Sequence, residues 1–374
     1  MPKALVIDDH ASLTTMVGLF LSDAGFTVKA AASGPEGLDK AMAEPPDVVI
    51  LDIMMPDMDG YQVCRRLRSD PRTARAVIVA LTARGQVVDV DMALRSGADL
   101  HMTKPFKGSV LLEEIERLLA ERQPIKAPRG SQILVLELEE AVGATTLACN
   151  LALCLAADRK HLTVVADMAL TGGQTADCLG LEAPDVWPKT PLEDTEGMVA
   201  SLVRHPSGLF ALPSPPEGDQ PTPDQVDELL QVLRKWHDYV VVDTEVNLGS
   251  LAPVLIRTSP LILLLLTPEP RALQTAQTSL AAMRRLGSPT LQIWPVLCKT
   301  LSDQPSARER AEKALSLPVK MVVPWSPEEC EAAKAGGKPL VLGDPQSPLA
   351  TAIRDLATQI VENTSIKPGQ EIAR

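Results

Sequence analysis

Aromatic residues are scarce in this chain: four Trp, two Tyr and four Phe make up 3% of 374 residues. Serial stacking of unpaired bases needs aromatic platforms, so single-stranded nucleic acid is a poor candidate ligand. Basic charge is also short, with 36 Lys and Arg against 48 Asp and Glu, a formal net charge of -12. That balance argues against a broad nucleic-acid surface. Of the six cysteines, Cys64, Cys149, Cys154, Cys178, Cys298 and Cys330, none falls in a C-x-x-C pair. They read as reduced thiols among apolar neighbours in a cytosolic protein. His161, His205 and His237 show no ligand spacing, so no transition-metal site is expected from them. Long apolar runs are missing too. Leu261–Leu266 is bounded by Pro260 and Thr267-Pro268 and falls far short of the ~20 residues of a spanning helix. It reads as a buried central strand. The start runs directly into a strand-like segment, which gives no sign of a leader peptide.

The chain length suggests two or three domains at ~100–200 residues each. With 45% hydrophobic residues, sizeable cores are available. Up to about Arg122 the pattern alternates strand and helix. Candidate strands are Ala4–Ile7, Thr27–Ala31, Val48–Leu51, Val77–Leu81 and His101–Thr103, and candidate helices include Ser12–Ala24, Tyr61–Ser69 and Ser109–Glu121. Continuous Val/Ile/Leu strands between amphipathic helices predict a parallel sheet covered on both faces, an α/β fold. A segment with two prolines and a glycine follows, Gln123 to Ser131, and reads as a linker. A second alternation starts at Gln132. Its candidate strands are Ile133–Leu138, Leu162–Ala166, Gly208–Leu212, Tyr239–Val242, Leu261–Leu266, Leu291–Leu297 and Val319–Val323. Two proline-rich stretches, 184–191 and 213–223, read as surface loops. The expected organisation is a first domain over 1–123, a linker over 124–131, a second domain over 132–363 and a flexible tail over 364–374.

Asp8, Asp9, Asp52, Thr82 and Lys104 all fall at the carboxyl ends of predicted strands, where sites gather in such sheets. Phosphorylating a carboxylate brings an anionic donor to an anionic nucleophile, and a hard cation such as Mg²⁺ with oxygen ligands relieves the repulsion. Asp9, Asp52 and the main-chain carbonyl of Met54 are the expected ligands, with Asp8 acting through a water. Lys104 and Thr82 are placed to hold phosphoryl oxygens. The Lys104-Pro105 bond is a candidate for the cis form.

The order Val6-Ile7-Asp8-Asp9, Leu51-Asp52-Ile53-Met54-Met55-Pro56-Asp57-Met58-Asp59-Gly60, Leu81-Thr82-Ala83, Ser96-Gly97-Ala98-Asp99 and Thr103-Lys104-Pro105-Phe106 resembles the response-regulator receiver domain. The resemblance covers the first third of the chain and implies a five-stranded flavodoxin-like fold with Asp52 as phosphoacceptor. It also implies a histidine kinase or small phosphodonor as partner. One departure is His101, where the family carries Tyr or Phe three residues before the lysine. That histidine reads either as a swinging reporter of phosphorylation or as a solvent-facing edge residue.

In the second half, Val142-Gly143-Ala144-Thr145-Thr146 lies between an apolar strand and an apolar-rich helix, the position of a phosphate-binding loop. Val164-Val165-Ala166-Asp167 follows one helix later, Tyr239–Asp243 ends a Walker-B-like strand in aspartate, and Gly336-Gly337-Lys338-Pro339-Leu340 comes near the end. Together these resemble the ParA/MinD group of ATPases. Receiver plus ATPase-like domain is similar to the TadZ/CpaE family of pilus-assembly and localisation proteins of the tight-adherence secretion system. The departures bear on mechanism. The family's two loop lysines are Glu139 and Ala144 here, its glycines are Glu140 and Ala141, and its second switch aspartate is Ala169. Cys298 stands at the adenine-reading asparagine. Unit charges ~4 Å apart interact by ~1 kcal/mol in water and ~4 kcal/mol at an effective dielectric of about 20. Exchanging two lysines for nearby glutamates therefore works against a triphosphate by several such increments. ATP as a cofactor is doubtful, and the degenerate site comprises Gly143, Ala144, Thr145, Thr146, Asp167 and Asp243.

The resulting expectation is a phosphorylation-responsive assembly factor of the pilus machinery, with the ATPase-like domain as a homodimeric docking platform. It is expected to be cytoplasmic, recruited to a cell pole or to the inner-membrane machinery without inserting. An active nucleotide switch and a DNA-acting regulator are the alternatives. The stripe Leu349, Ile353, Leu356 and Ile360 reads as core packing rather than a membrane-binding face.

Overall fold

The protein, described from a computed structural model, forms two compact units, Met1–Gln123 and Pro124–Arg374. The structure describes residues 1–82, 92–121, 130–139, 142–157, 161–169, 173–182, 187–188, 195–216, 220–244, 249–300, 305–324, 326–335 and 338–364. Ala83, Glu140, Ala141, Gly336, Gly337 and the 364–374 tail expectation, beyond Thr364, lie outside these.

The first unit is a five-stranded sheet in the order β2-β1-β3-β4-β5. Its strands are β1 (Lys3–Ile7), β2 (Thr27–Ala31), β3 (Val48–Asp52), β4 (Val77–Thr82) and β5 (Leu100–Thr103). All neighbours pair in parallel. The central strands β3 and β4 are buried along their whole length because helices cover both faces. Two apolar clusters result, one around Ile7, Leu51, Val63 and Leu67, the other around Val6, Val17, Ile50 and Ile115. Helix starts are written locally. Asp59 Oδ1 accepts from the Gln62 amide at 2.7 Å and caps helix Gly60–Ser69. Gly60 cannot be replaced at that start, since a Cβ there would sit 2.4 Å from the Asp52 carbonyl oxygen. This close approach folds the loop after Asp52 back on its own strand.

Arg68 is the largest fully buried side chain among the described residues. Its guanidinium donates to the carbonyls of Gly97, Ala74 and Ala76 at 2.7–2.8 Å and pairs with Asp99 at 2.7 Å. Asp99 Oδ2 also accepts from the Ile78 amide, so the pair ties helix, loop and β4 together.

The second unit holds an eight-stranded sheet, β13-β12-β11-β6-β10-β7-β9-β8. Its strands are β6 (Ser131–Glu137), β7 (Thr163–Asp167), β8 (Val203–Arg204), β9 (Phe210–Leu212), β10 (Tyr239–Asp243), β11 (Leu261–Leu266), β12 (Gln292–Thr300) and β13 (Met321–Pro324). The pairing is parallel except between β8 and β9. The two-residue edge strand β8 was not expected, because so short a segment carries no periodicity. β13 starts at Met321, two residues later than the Val319–Val323 pattern suggests. Leu261–Leu266 is a buried central strand, as its composition requires. Leu349, Ile353, Leu356 and Ile360 on helix Pro348–Thr364 are buried in the core with helix Ala144–Leu155. Thr222 and Gln225 form a reciprocal capping box at helix Pro223–Trp236. No helix among the described residues is long and apolar enough to cross a membrane.

Candidate functional site

β1, β3, β4 and β5 end at one edge of the first sheet, and their last residues or the next ones along carry the polar groups. Asp8 and Asp9 follow β1, Asp52 ends β3, Thr82 ends β4 and Lys104 follows β5. Asp8, Asp52 and Thr82 are buried to 2–4% exposure. The Lys104 Nζ donates to Asp8 Oδ2 at 2.8 Å and lies 3.2 Å from Asp52 Oδ1. The Lys104 amide donates to the Thr82 carbonyl at 2.8 Å, which ties the lysine's backbone to the end of β4. The Lys104–Pro105 peptide is cis. Met54 is exposed, and its amide approaches Asp52 Oδ1 at 3.4 Å.

Burial pushes the Asp52 carboxyl up from its ordinary range, and the Asp8 carboxylate pushes it further, while Lys104 opposes both. Such a site is short of positive charge. Ligand atoms of Asp8, Asp9, His10 and Asp52 all lie within 4.8 Å of one another. An oxygen-rich set of this density fits a hard divalent cation. His101 sits half-buried on β5, paired in register with Ala80.

In the second unit, Gly143 takes a left-handed φ of 104° and caps helix Ala144–Leu155. The Ala144 amide at the helix start donates to Glu137 Oε2 at 3.4 Å. The end of a helix that favours anions therefore faces a carboxylate from its own chain. Glu139 turns elsewhere and accepts from the Thr267 hydroxyl at 2.9 Å. Glu137, the last residue of β6, is the group that sequence reasoning passed over in favour of Glu139 and Glu140. It reads as strand, so its side chain is not expected at the helix start.

Asp167 and Asp243 end neighbouring strands in direct register and are both buried. Thr175 bridges them. Its amide donates to Asp167 Oδ2 at 3.2 Å and its hydroxyl to Asp243 Oδ2 at 3.3 Å. Asp167 and Asp243 are thus brought together with Thr175. Burial and the Asp167 charge hold the Asp243 carboxyl well above the usual carboxylate range. Thr146 contributes a backbone carbonyl, accepting from Asn150 Nδ2 at 2.8 Å, and not a side chain to this cluster. Asn150 was also missed from the sequence. Its Oδ1 takes the Val341 amide at 3.0 Å and pins helix Leu340–Gly343 to helix Ala144–Leu155. Cys298 is buried in the core.

Residues 4–116 match the response regulator receiver domain family. Among curated proteins, the DNA-binding dual master transcriptional regulator RpaA of Synechocystis sp. is 40% identical over 135 residues, which is 36% of this chain and 56% of that one. The chain spans about half the length of the curated relatives it matches. A ParA family ATPase from Chlorobium tepidum TLS superposes with a TM-score of 0.56 at 18% identity, covering 62% of this chain and 98% of that one. The Pyrococcus furiosus cell division ATPase MinD gives 0.54 at 23% identity, covering 63% and 99%. Two classes of domain thus meet in one chain, a receiver domain and a domain with the fold of the ParA and MinD ATPases. The match to the receiver family covers residues 4–116, and the likeness of the second domain is one of fold.

Proposed function

We infer that Asp52 is the phosphoacceptor of a regulator that assembles or localises a tight-adherence pilus secretion system. The observation that carries the phosphorylation reading is the buried Asp52 carboxylate with the Lys104 ammonium 3.2 Å away. An Asp52 oxygen attacks phosphorus, forming an acyl phosphate as the donor's P–N or P–O bond breaks and the leaving group departs. Asp8, Asp9 and Asp52 would hold the divalent cation, together with the Met54 carbonyl. When bound, the cation supplies charge neutralisation between nucleophile and donor. Lys104 and the Thr82 hydroxyl receive the phosphoryl oxygens. Formation of the acyl phosphate removes negative charge from the carboxylate that Lys104 faces and adds phosphoryl oxygens. The β4–β5 edge carrying Thr82, His101 and Lys104 is then the segment whose balance shifts.

The second unit acts as a docking and homodimerisation platform without a nucleotide cycle. Support comes from the helix start that faces Glu137 and from Ala144 in the place of the loop lysine. A triphosphate arriving there meets a carboxylate where the ATPases present a lysine. The likeness to the TadZ/CpaE proteins, receiver first and degenerate ATPase second, supports pilus machinery as the partner and a cell pole or the inner-membrane machinery as the destination.

The test is intact mass and oligomeric state of the full chain with Mg²⁺ and acetyl phosphate, repeated with ATP. A gain of one phosphoryl group that disappears in Asp52→Asn, with changed association and no response to ATP, is the expected result. An ATP-dependent dimer would identify a working nucleotide switch instead. Unchanged pole localisation of the pilus machinery in Asp52→Asn cells would remove the control role.

A further inference from the structure

We propose that the edge of the second sheet where β10, β11 and β12 begin is a contact face for an anionic phospholipid surface. These strands run parallel with β6, and the register sets Leu261 opposite both Ile133 and Gln292, with Tyr239 opposite Ser131 two residues earlier. Helices Pro223–Trp236, Ala252–Thr258 and Pro270–Leu286 each lead into one of the three strands, so all three helices end at this edge. The Arg234 guanidinium donates to the Thr258 carbonyl at 3.3 Å and keeps the first two ends level.

Every one of these last turns is basic, with Arg234 and Lys235, then Arg257, then Arg284 and Arg285. The helix dipole favours a cation in a last turn, which accounts for one per helix. It does not account for the missing counter-charge. Across 234–239, 256–261 and 284–292 the one acidic residue is Asp238, which is 1% exposed and accepts from the Leu162 amide at 2.9 Å. Arg234 is engaged with Thr258, and Arg257 meets Asp227 at 3.3 Å. Lys235, Arg284 and Arg285 are exposed and ion-pair with no carboxylate among the described residues. In a chain of net charge -12, this edge has the opposite sign to the whole. Leu286 separates a bilayer from other polyanions. It closes its helix directly after the two arginines and is 41% exposed. An apolar side chain beside cations fits acyl chains lying under anionic headgroups. The phosphodiester backbone of a duplex offers the charge without the apolar layer. Trp236, half-buried, ends the first of the three helices at the same edge, a residue type that suits headgroup depth. The apolar stripe of helix Pro348–Thr364 is buried and plays no part.

The proposal gives a lipid partner to the inner-membrane destination inferred above, but vesicle binding needs no pilus protein, so the two readings fail separately. The full chain is co-sedimented with vesicles of phosphatidylglycerol and phosphatidylethanolamine, and with phosphatidylcholine vesicles, at ~50 and ~300 mM NaCl. Binding is expected to the anionic vesicles alone, and more weakly at the higher salt. Arg284→Gln with Arg285→Gln should cut partitioning by ~10-fold or more and Leu286→Ser by ~3-fold. Arg66→Gln with Lys107→Gln, which removes two exposed charges from the first unit, should change it by less than ~2-fold. Far-UV circular dichroism checks that each variant is folded, and Leu286→Ser tests the face independently of its charge. No binding to anionic vesicles, equal binding to phosphatidylcholine, or equal partitioning of wild type and the Arg284/Arg285 variant overturns the proposal. Retention of a duplex DNA oligonucleotide without vesicle binding, lost in the same variant, assigns the face to nucleic acid and overturns the lipid reading.

Discussion

Lys104 and Asp52 face each other at 3.2 Å across the end of the first sheet, with Asp8 at 2.8 Å on the same ammonium. The lysine thereby keeps two buried carboxylates apart in charge before any phosphoryl group arrives. Replacing Lys104 with Ala leaves Asp8 and Asp52 unscreened, and the expected cost to the first unit is ~1–3 kcal/mol. Lys104 is 21% exposed, so water relieves part of the loss and the lower half of that range is expected. Mg²⁺ should recover some of it by supplying the missing positive charge. Amide exchange in β1, β3 and β4, with and without MgCl₂, measures this. Unchanged protection in Lys104→Ala would mean that the lysine contributes to chemistry alone.

Arg68 and Asp99 give a larger effect. Arg68→Ala removes four hydrogen-bonding partners at once and deprives Asp99, whose side chain is only 10% exposed, of this cation. Breaking one side of a buried pair costs ~3–5 kcal/mol. Arg68→Met, which keeps the stem packed, should still lose most of that, since the stranded carbonyls and carboxylate remain. All four tryptophans lie in the second unit. The denaturation midpoint followed by tryptophan fluorescence should therefore stay put while far-UV circular dichroism shows an earlier first transition.

Much of the receiver site was legible because its chemistry lies at the ends of strands that announce themselves. Five apolar runs fix where Asp8, Asp9, Asp52, Thr82 and Lys104 must gather. Arg68 was not legible: it follows Arg65 and Arg66 in one helix, and composition cannot tell which of three arginines points inward. Gly97 decides it, since its left-handed φ of 103° and missing Cβ leave room for the Arg68 stem. The parallel sheet of the second unit was readable from β6, β10 and β11. The contact from Glu137 was not, because nothing in the sequence singles out Glu137 over Glu139 as the carboxylate that meets the Ala144 amide.

Burial pushes the Cys64 thiol up to about 12 and the Cys154 thiol up to about 11. Alkylation proceeds through the thiolate, so both should resist iodoacetamide at pH 8 in the folded chain and react on unfolding. Mass spectrometry of peptides from pulse-labelled protein reads this directly. Labelling of Cys64 at a rate near that of a free thiol would show that the first unit opens far more readily than its packing implies.

Asp243 sets the pH response of the second unit. Its charge is felt with those of Asp167 from β7 and Glu137 from β6, and Thr175 from the helix after β7 donates to it. None of these brings a positive charge. An unfolded aspartate loses its proton near pH ~3.9, whereas folded Asp243 holds it well above that. Across that window the folded state binds more protons than the unfolded one, so stability falls as pH rises through the native value. Asp243→Asn keeps the shape, can accept from Thr175 and carries no charge. It should raise the stability of the second unit at pH 8 relative to the wild type and flatten the fall in stability measured from pH 4 to pH 8. Tryptophan-detected urea unfolding over this range measures it. If Asp243→Asn instead destabilises at pH 8 and leaves the slope unchanged, the carboxylate is ionised in the fold, and a counter-charge must lie close to it.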